Sequence, residues 1–185
     1  LAILLTAGTY GAVRSLLGSI GTSRKASGEI VAVEHPAHDI TTVRCRLDSG
    51  WQGHHPGQFA FVTFDDREGA HPFTIASADH GDRMISFQIK ALGDYTNQLS
   101  VHLEPGQAVH VEGPYGCFEL RRCDPTARQI WVAGGIGVTP FLAWLESLQA
   151  DPASAPITDL HYCTRDQATD AFVPRLQALC ASLPR

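Results

Sequence analysis

The feature that most restricts the fold of this chain is a change of hydrophobic pattern at Asp124-Pro125. Before this point, apolar and polar residues alternate in short runs, as they do in half-buried β-strands. After it, a short apolar run at Gln129–Ala133 leads through Gly134–Pro140 into a segment with helical spacing. With 185 residues the chain is long enough for two small domains, and the pattern predicts two different architectures.

The part before the change predicts six strands and one helix. In the clearest strand, Ile40–Leu47, apolar side chains alternate with Arg44 and Arg46, which gives the strand one apolar face. Proline–glycine pairs between such runs are typical of tight turns. This pattern favours an antiparallel six-stranded Greek-key barrel. The predicted strands cover residues 29–33, 40–47, 58–64, 71–77, 84–91 and 107–112, and the helix covers 95–103.

The part after the change predicts an incomplete parallel α/β domain. A second apolar run, Ile157–Cys163, and a second segment with helical spacing, Phe172–Cys180, follow the first pair. Strand, glycine-rich turn, helix, strand and helix is the beginning of a parallel α/β sheet. Because two parallel strands leave open sheet edges, we expect only the N-terminal half of such a domain at residues 128–185, after a barrel at 28–123.

The N-terminus is compositionally distinct from the rest of the chain. Residues 1–20 are almost wholly apolar apart from Arg14, and residues 21–27 are small, polar and basic. The run Leu1–Val13 is shorter than the about 20 residues that span a bilayer. We interpret residues 1–20 as the end of a transmembrane helix and 21–27 as a linker. The alternatives are a docking helix and a disordered overhang.

Charge and cysteine content exclude several classes of function. The net charge of −5, without a basic run, gives no reason to expect nucleic acid as a partner. The five cysteines include no CxxC pair, which argues against a zinc site or an iron–sulfur cluster. The histidines form no ligand pattern, so no metal site is predicted. We expect free thiols in a reducing compartment rather than disulfides.

The segment His71–Ser77 reads His-Pro-Phe-Thr-Ile-Ala-Ser, which is unusual for a strand. Pro72 removes a backbone donor, so the strand is expected to begin at an edge or a corner. The imidazole, the aromatic ring and the hydroxyls of this segment could stack on a flat ring and hydrogen-bond its rim. The alternative is an ordinary strand entry with Phe73 in the core and the hydroxyls in water.

The turn Gly134–Pro140 lies between a predicted buried strand and a helix. Thr139 is predicted to cap this helix, with Pro140 at its first position. The glycines let an anionic ligand approach backbone amides, and a helix N-terminus adds about half a positive charge. This arrangement suits a pyrophosphate. The alternative is a tight turn that merely requires glycine.

Four motifs resemble, in this order, those of the ferredoxin–NADP reductase superfamily: His71–Ser77, Lys90 with Gly93–Thr96, Gly113–Gly116 and Gly134–Pro140. The His-Pro-Phe-Thr form of the first is similar to ferric reductases and NADPH oxidases, in which a haem-carrying membrane domain precedes the flavin barrel. The resemblance covers about Ala26 to the C-terminus. It departs in two respects, since a histidine replaces the motif's arginine and the chain ends before the family's Cys-Gly-Pro segment.

The resemblance implies one FAD site and one NAD(P)H site. Phe73 would pack on the isoalloxazine and Thr74 would hydrogen-bond near N5, so these two residues lie closest to the chemistry. Arg165 would meet a 2′-phosphate and favour NADPH, whereas Asp166 beside it leaves NADH open. The other expected FAD contacts are His71, Pro72, Ile89, Lys90, Gly93, Tyr95 and Thr96. The other expected NAD(P)H contacts are Gly134, Gly135, Gly137, Thr139 and Pro140.

The function implied by the resemblance is electron transfer from NAD(P)H through FAD to a one-electron acceptor. The acceptor would be haem in a preceding membrane domain, and beyond it ferric iron or dioxygen. The flavin barrel would then lie on the cytoplasmic side of a membrane. One alternative is a cytoplasmic NAD(P)H reductase that serves an iron–sulfur or haem partner. Another is a non-catalytic barrel that has become a binding module.

Overall fold

The computed structural model describes residues 2–16 and 24–183. The first helix, α1, covers Ala2–Leu16 and leaves Ile3, Leu5, Tyr10 and Val13 exposed. In those two ranges, no helix is both long and apolar enough to cross a membrane. The end of the predicted apolar segment and the first part of the predicted linker lie outside the described residues.

The barrel is formed by six antiparallel strands, as the alternating pattern predicts. The first strand begins inside the predicted linker, because residues 25–29 pair with residues 108–112. The strand order is β4-β3-β6-β1-β2-β5, and a bridge between Ile75 and Phe87 joins the two end strands. The strands are β1 (Lys25–Ala37), β2 (Ile40–Leu47), β3 (Phe59–Thr63), β4 (His71–Thr74), β5 (Met84–Lys90) and β6 (Ala108–Tyr115).

The alternation in the sequence sets which side chains fill the barrel. In β2, Val43 and Cys45 are fully buried, while Arg44 and Arg46 are exposed. The single helix of this part, α2, covers Asp94–His102 and contributes Leu99 to the same core. The barrel is thus a sheet with one apolar face, curved so that this face closes on itself.

The α/β segment contains β7 (Gln129–Gly134), α3 (Thr139–Ala150), β8 (Thr158–Cys163) and α4 (Val173–Ala181). The two strands pair in parallel, as predicted. The expectation that the first of them is buried on both faces is wrong. Ile130 and Val132 are 69% and 65% exposed, whereas Trp131 and Ala133 point into the core. Within the described residues, the helices cover only one face of this sheet.

The barrel and the α/β segment meet through aromatic packing. Trp144 of α3 is buried, stacks on Phe118 with a centroid distance of 4.7 Å, and donates its Nε1–H to the Pro56 carbonyl at 3.0 Å. Gly57 beside it has φ of +96°, and a Cβ there would lie 1.9 Å from the Phe118 oxygen and 2.6 Å from Trp144 Nε1. The junction therefore requires glycine at this position.

Candidate functional site

The inner face of β4 belongs to the barrel core. In the antiparallel register, Phe73 lies opposite Ala60 and His71 lies opposite Val62, and both partners are fully buried. Because cross-strand partners share a face, the Phe73 ring points inward and meets the ring of Phe87 at 6.2 Å. Phe73 is half-buried, so only part of its ring is available to a cofactor.

The outer face of β4 carries Thr74, which lies opposite Phe59 of β3. Phe59, Phe61 and Tyr115 form a half-exposed aromatic cluster with centroid distances of 5.7–5.9 Å. We call these three residues the aromatic face. A hydroxyl beside an apolar surface suits a flat ring with a polar rim. Sequence reasoning missed this cluster, although two of its members alternate along one predicted strand.

The structure brings together His71 and Tyr95, which are separated in sequence by the whole of β5. Their rings stack with a centroid distance of 3.8 Å and an interplanar angle of 18°. The buried Tyr95 hydroxyl has no hydrogen-bond partner among the described residues. Burial, and then the carboxylates of Glu68 and Asp65, raise the pKa of Tyr95 to about 12. The phenol of Tyr95 therefore stays neutral, and its O–H can donate a hydrogen bond to an acceptor.

The N-terminus of α2 is shaped by Thr96. Its Oγ1 accepts hydrogen bonds from the backbone N–H groups of Leu92 at 2.9 Å and Gly93 at 3.1 Å. The side chain therefore orders the turn before the helix. Gly93 has an extended backbone and a Cβ there would meet open space, so an anion could approach this helix N-terminus closely.

Two expected FAD contacts at the end of β5 lie in different surroundings. Ile89 is 2% exposed and its side chain packs in the barrel core, so the predicted FAD contact at this residue would have to come from its backbone. Strand alternation explains this, because the next residue points outward. Lys90 forms an ion pair with Asp39, with 3.3 Å between Nζ and Oδ2.

A cavity of about 410 Å³ lies at the carboxyl ends of β7 and β8. Lys90 and Asp39 line it from the barrel, and Gly135 and Arg165 line it from the α/β segment. Ligands of open α/β sheets bind outside the carboxyl ends of the strands, which is where this cavity lies. Its charged lining residues are Lys90, Arg165, Asp39, Asp166 and Asp170.

Asp170 organises the far wall of the cavity. It accepts hydrogen bonds from the hydroxyls of Tyr162 and Thr164 and from the backbone N–H of Phe172, at 3.0, 2.5 and 2.8 Å. Burial alone would raise the pKa of Asp170, but the bonds from Thr164, Phe172 and Tyr162 outweigh it and lower the pKa. The carboxylate therefore remains charged and ties the end of β8 to the start of α4.

The glycine turn differs from the prediction in how it enters α3. Residues 135–138 form a 3-10 turn, with Gly135 at φ of +50°. Thr139 is buried and donates its hydroxyl to the Ile136 carbonyl at 3.0 Å, so it does not cap the helix as expected. Pro140 lies in the first helical turn, as predicted. Gly134 ends β7, and Gly137 faces open space.

No metal site is found within residues 2–16 and 24–183, where three or more His, Cys, Asp or Glu side chains nowhere come together in a suitable arrangement. FAD, by contrast, fits the residues present on two observations. The Tyr95 hydroxyl is buried without a partner in the described chain, and the aromatic face lies half-exposed beside Thr74. Both are features that a bound aromatic cofactor would use.

This combination of barrel, aromatic face and glycine turn defines a flavin-binding class of protein. Residues 26–119 match the family described as FAD-binding domain, and the chain belongs to this family. The expected membership of the ferredoxin–NADP reductase superfamily is thereby confirmed.

Two relatives in sequence indicate the range of the family. The reductase component of the naphthalene 1,2-dioxygenase system of Pseudomonas putida is 31% identical over 88% of this chain and 49% of its own length. Ferric reduction oxidase 8, mitochondrial, of Arabidopsis thaliana is 36% identical over 50% of this chain and 14% of its own length. The chain spans about half the length of the naphthalene dioxygenase reductases that it matches.

The fold is also found in solved structures. A ferredoxin NADP+ reductase from Neisseria gonorrhoeae with bound FAD and NADP superposes with a TM-score of 0.71 at 18% identity, over 84% of this chain and 63% of the other. At this identity the likeness establishes the architecture alone, which is the predicted barrel followed by a parallel α/β segment.

Proposed function

We propose that the protein transfers electrons from NAD(P)H through FAD to a one-electron acceptor. The observation that carries this proposal is the cavity in which Lys90 of the barrel meets Gly135 and Arg165 of the α/β segment. A flavin on the barrel and a nicotinamide dinucleotide at the glycine turn would meet there. When bound, FAD accepts a hydride and releases electrons singly, so the protein supplies positioning and electrostatics.

In this proposal the barrel residues hold the flavin from two sides. The aromatic face supports the ring system, and Thr74 donates its hydroxyl to the polar rim near N5. The exposed part of Phe73 bounds the same site. His71 and Tyr95 stand beside the N-terminus of α2, where the pyrophosphate would bind.

The α/β residues hold the dinucleotide. Gly135, at positive φ, lets the pyrophosphate approach the backbone, and Gly134 and Gly137 leave room on either side. Arg165 offers a bidentate partner to a phosphate. Asp166 follows it directly and also lines the cavity, which opposes a second negative group on the ribose.

Two acceptors are candidates, and different observations favour each of them. A membrane haem is favoured by the exposed apolar side chains of α1, such as Ile3 and Leu5, and by the likeness to ferric reduction oxidases. An iron–sulfur partner is favoured by the longer match to dioxygenase reductase components. In the first case the flavin barrel would lie on the cytoplasmic side of a membrane, and in the second the protein would be cytoplasmic.

Reconstitution tests the proposal directly. The purified chain is titrated with FAD, and anaerobic bleaching of the flavin by NADH and by NADPH is followed by stopped-flow absorbance. A yellow protein that either nucleotide bleaches supports the proposal. A protein that remains colourless after addition of FAD contradicts it and favours the non-catalytic barrel. Reoxidation is then compared for haem-containing membrane fractions and for an iron–sulfur protein.

A further inference from the structure

Glu146 of α3 connects three elements whose relative positions must be fixed for the proposed function. Its Oε2 accepts a hydrogen bond at 3.0 Å from the backbone N–H of Ala78, in the segment that follows β4. Its Oε1 accepts from Arg175 Nη2, on α4. The carboxylate thus connects the barrel, the helix after the glycine turn and the last helix.

Each residue of the segment that follows β4, residues 75–78, forms a hydrogen bond. Ile75 N–H donates to Gln58 O at 3.0 Å, and Ala76 N–H donates to Ser86 O at 2.8 Å. Ser77 accepts through its hydroxyl from the backbone N–H of Ser86 at 3.1 Å. These three contacts come from the barrel itself. The fourth, at Ala78, comes from the α/β segment.

The hydrogen bond from the Ala78 N–H to Glu146 satisfies a buried backbone donor. Ala78 is 2% exposed, so its N–H has no access to bulk water. Removing the acceptor leaves a buried donor unsatisfied, which is more costly than losing an exposed hydrogen bond. The segment would be expected to shift until the N–H finds another partner, and β4 ends at Thr74, only four residues earlier.

Arg175 links the same carboxylate to the dinucleotide cavity. It lies in the first turn of α4, whose start is fixed by Asp170 through the N–H groups of Phe172 and Val173 at 2.8 and 3.3 Å. Asp170 and Phe172 line the cavity. A ligand in the cavity would therefore contact Phe172, which precedes Arg175 by three residues, about one helical turn.

We propose that Glu146 is a positioning residue that holds the flavin strand in register with the dinucleotide cavity, through Ala78 on one side and Arg175 on the other. This inference rests on the proposed function. Glu146 touches neither cofactor in this arrangement, and its effect on hydride transfer is indirect. A small change in the distance between two bound reactants is sufficient to slow such a step strongly.

The test compares Glu146→Ala, Glu146→Gln and Arg175→Met with the unaltered chain, all reconstituted with FAD. The amide oxygen of glutamine can still accept from Ala78, whereas alanine cannot. Glu34→Ala is the matched control, because Glu34 forms an exposed ion pair with Arg44 and both residues belong to barrel strands. The amide exchange of residues 75–79, the visible circular dichroism of bound FAD and the kinetics of bleaching are measured.

For Glu146→Ala we expect amide exchange at residues 75–79 to rise at least about tenfold and the flavin dichroism to change. We expect bleaching at saturating nucleotide to slow about tenfold, while the nucleotide Kd changes less than about threefold. Glu146→Gln should recover most of the rate, and Glu34→Ala should behave as the unaltered chain.

Two results would overturn the inference. One is unchanged amide exchange at residues 75–79 in Glu146→Ala, which would show that the contact does not hold the segment. The other is an effect confined to the nucleotide Kd or to thermal stability, with the rate at saturation preserved. A chain that binds no FAD contradicts the proposed function itself and is recognised in the unaltered protein before any variant is made.

Discussion

The imidazole of His71 lies flat against the phenol ring of Tyr95, with 3.8 Å between the centroids. This contact joins the first residue of β4 to the first turn of α2, the two elements that the proposed FAD site requires. The ring stacks against a neighbour, and its Nε2 lies 3.3 Å from the Glu68 carbonyl oxygen.

The Tyr95 hydroxyl provides a first prediction. Because it is buried without a partner in the described chain, Tyr95→Phe should stabilise the apoprotein by about 1 kcal/mol, measured by urea unfolding. If the hydroxyl meets FAD, the same variant should bind FAD several-fold more weakly. Tyr115→Phe is the control, since its hydroxyl already donates to Glu112 at 2.7 Å and its loss should destabilise the apoprotein. A destabilised apoprotein in Tyr95→Phe would contradict this account.

The two faces of the β3–β4 pair predict different outcomes for two phenylalanines. Phe73→Ala should lower the free energy of unfolding by about 2 kcal/mol, because its half-buried ring packs on the core rings of Phe64 and Phe87. Phe59→Ala should cost less stability but weaken FAD binding about tenfold, because its ring lies on the aromatic face. Denaturant unfolding and fluorescence titration separate these effects. If instead Phe73→Ala weakens FAD binding and Phe59→Ala mainly lowers stability, the flavin lies on the inner face of β4.

The hydroxyl of Thr74 predicts a defect that serine repairs. Thr74→Val keeps the shape of the side chain but removes the donor, so bleaching by NAD(P)H should slow about tenfold with FAD still bound. Thr74→Ser should restore most of the rate. Equal rates in Thr74→Val and the unaltered protein, measured by stopped-flow absorbance, would exclude a role for this hydroxyl in the chemical step.

Asp166 predicts a change in the preference for the electron donor. Asp166→Asn removes one negative charge from the cavity beside Arg165, so the ratio of bleaching efficiency with NADPH to that with NADH should rise about tenfold. Binding of 2′-phospho-AMP against AMP, measured by calorimetry, gives a readout that does not require FAD. An unchanged ratio in both assays would show that the 2′ position lies elsewhere.

His54 predicts how stability depends on pH. Burial lowers the pKa of this histidine below its ordinary 6.5, against the opposing effects of the Ser77 carbonyl and Asp79, while His55 and His80 lower it further. The unfolded chain therefore binds more protons than the folded chain below pH 6.5, so stability falls as the pH decreases through this range. His54→Gln should flatten this part of the curve in urea unfolding. His38→Gln, at an exposed position, should not.

Most of the architecture could be predicted because it depends on periodicity. The strand predicted at residues 40–47 is found at those residues, and the switch to a parallel sheet follows Asp124. The missed details depend on three-dimensional neighbours. Thr139 looks like a helix cap in sequence, but the 3-10 turn before it places its hydroxyl against Ile136. Likewise the exposure of Ile130 depends on which face the helices cover.

The sequence predicts which segments contribute to the candidate site, but it does not predict how their side chains contact one another. The sequence singles out His71 and Tyr95 separately, but their stacking depends on how α2 returns to β4. The alternation rule points Ile89 into the core and Lys90 outward, and this could have been applied in advance. The link from Glu146 to Ala78 has no signal in the sequence, because it joins residues 68 positions apart without a shared motif.

The close approach at Gly57 has a consequence for protein engineering. A chimaera joined at Asp124 divides the chain where the sequence pattern changes. The Trp144 indole, however, needs a carbonyl at the position of Pro56 and a residue without a side chain at position 57. The unit that can be exchanged therefore includes the turn at residues 54–58 as well as everything after Asp124. A barrel from another reductase should accept this α/β segment only if it brings glycine at the equivalent of position 57.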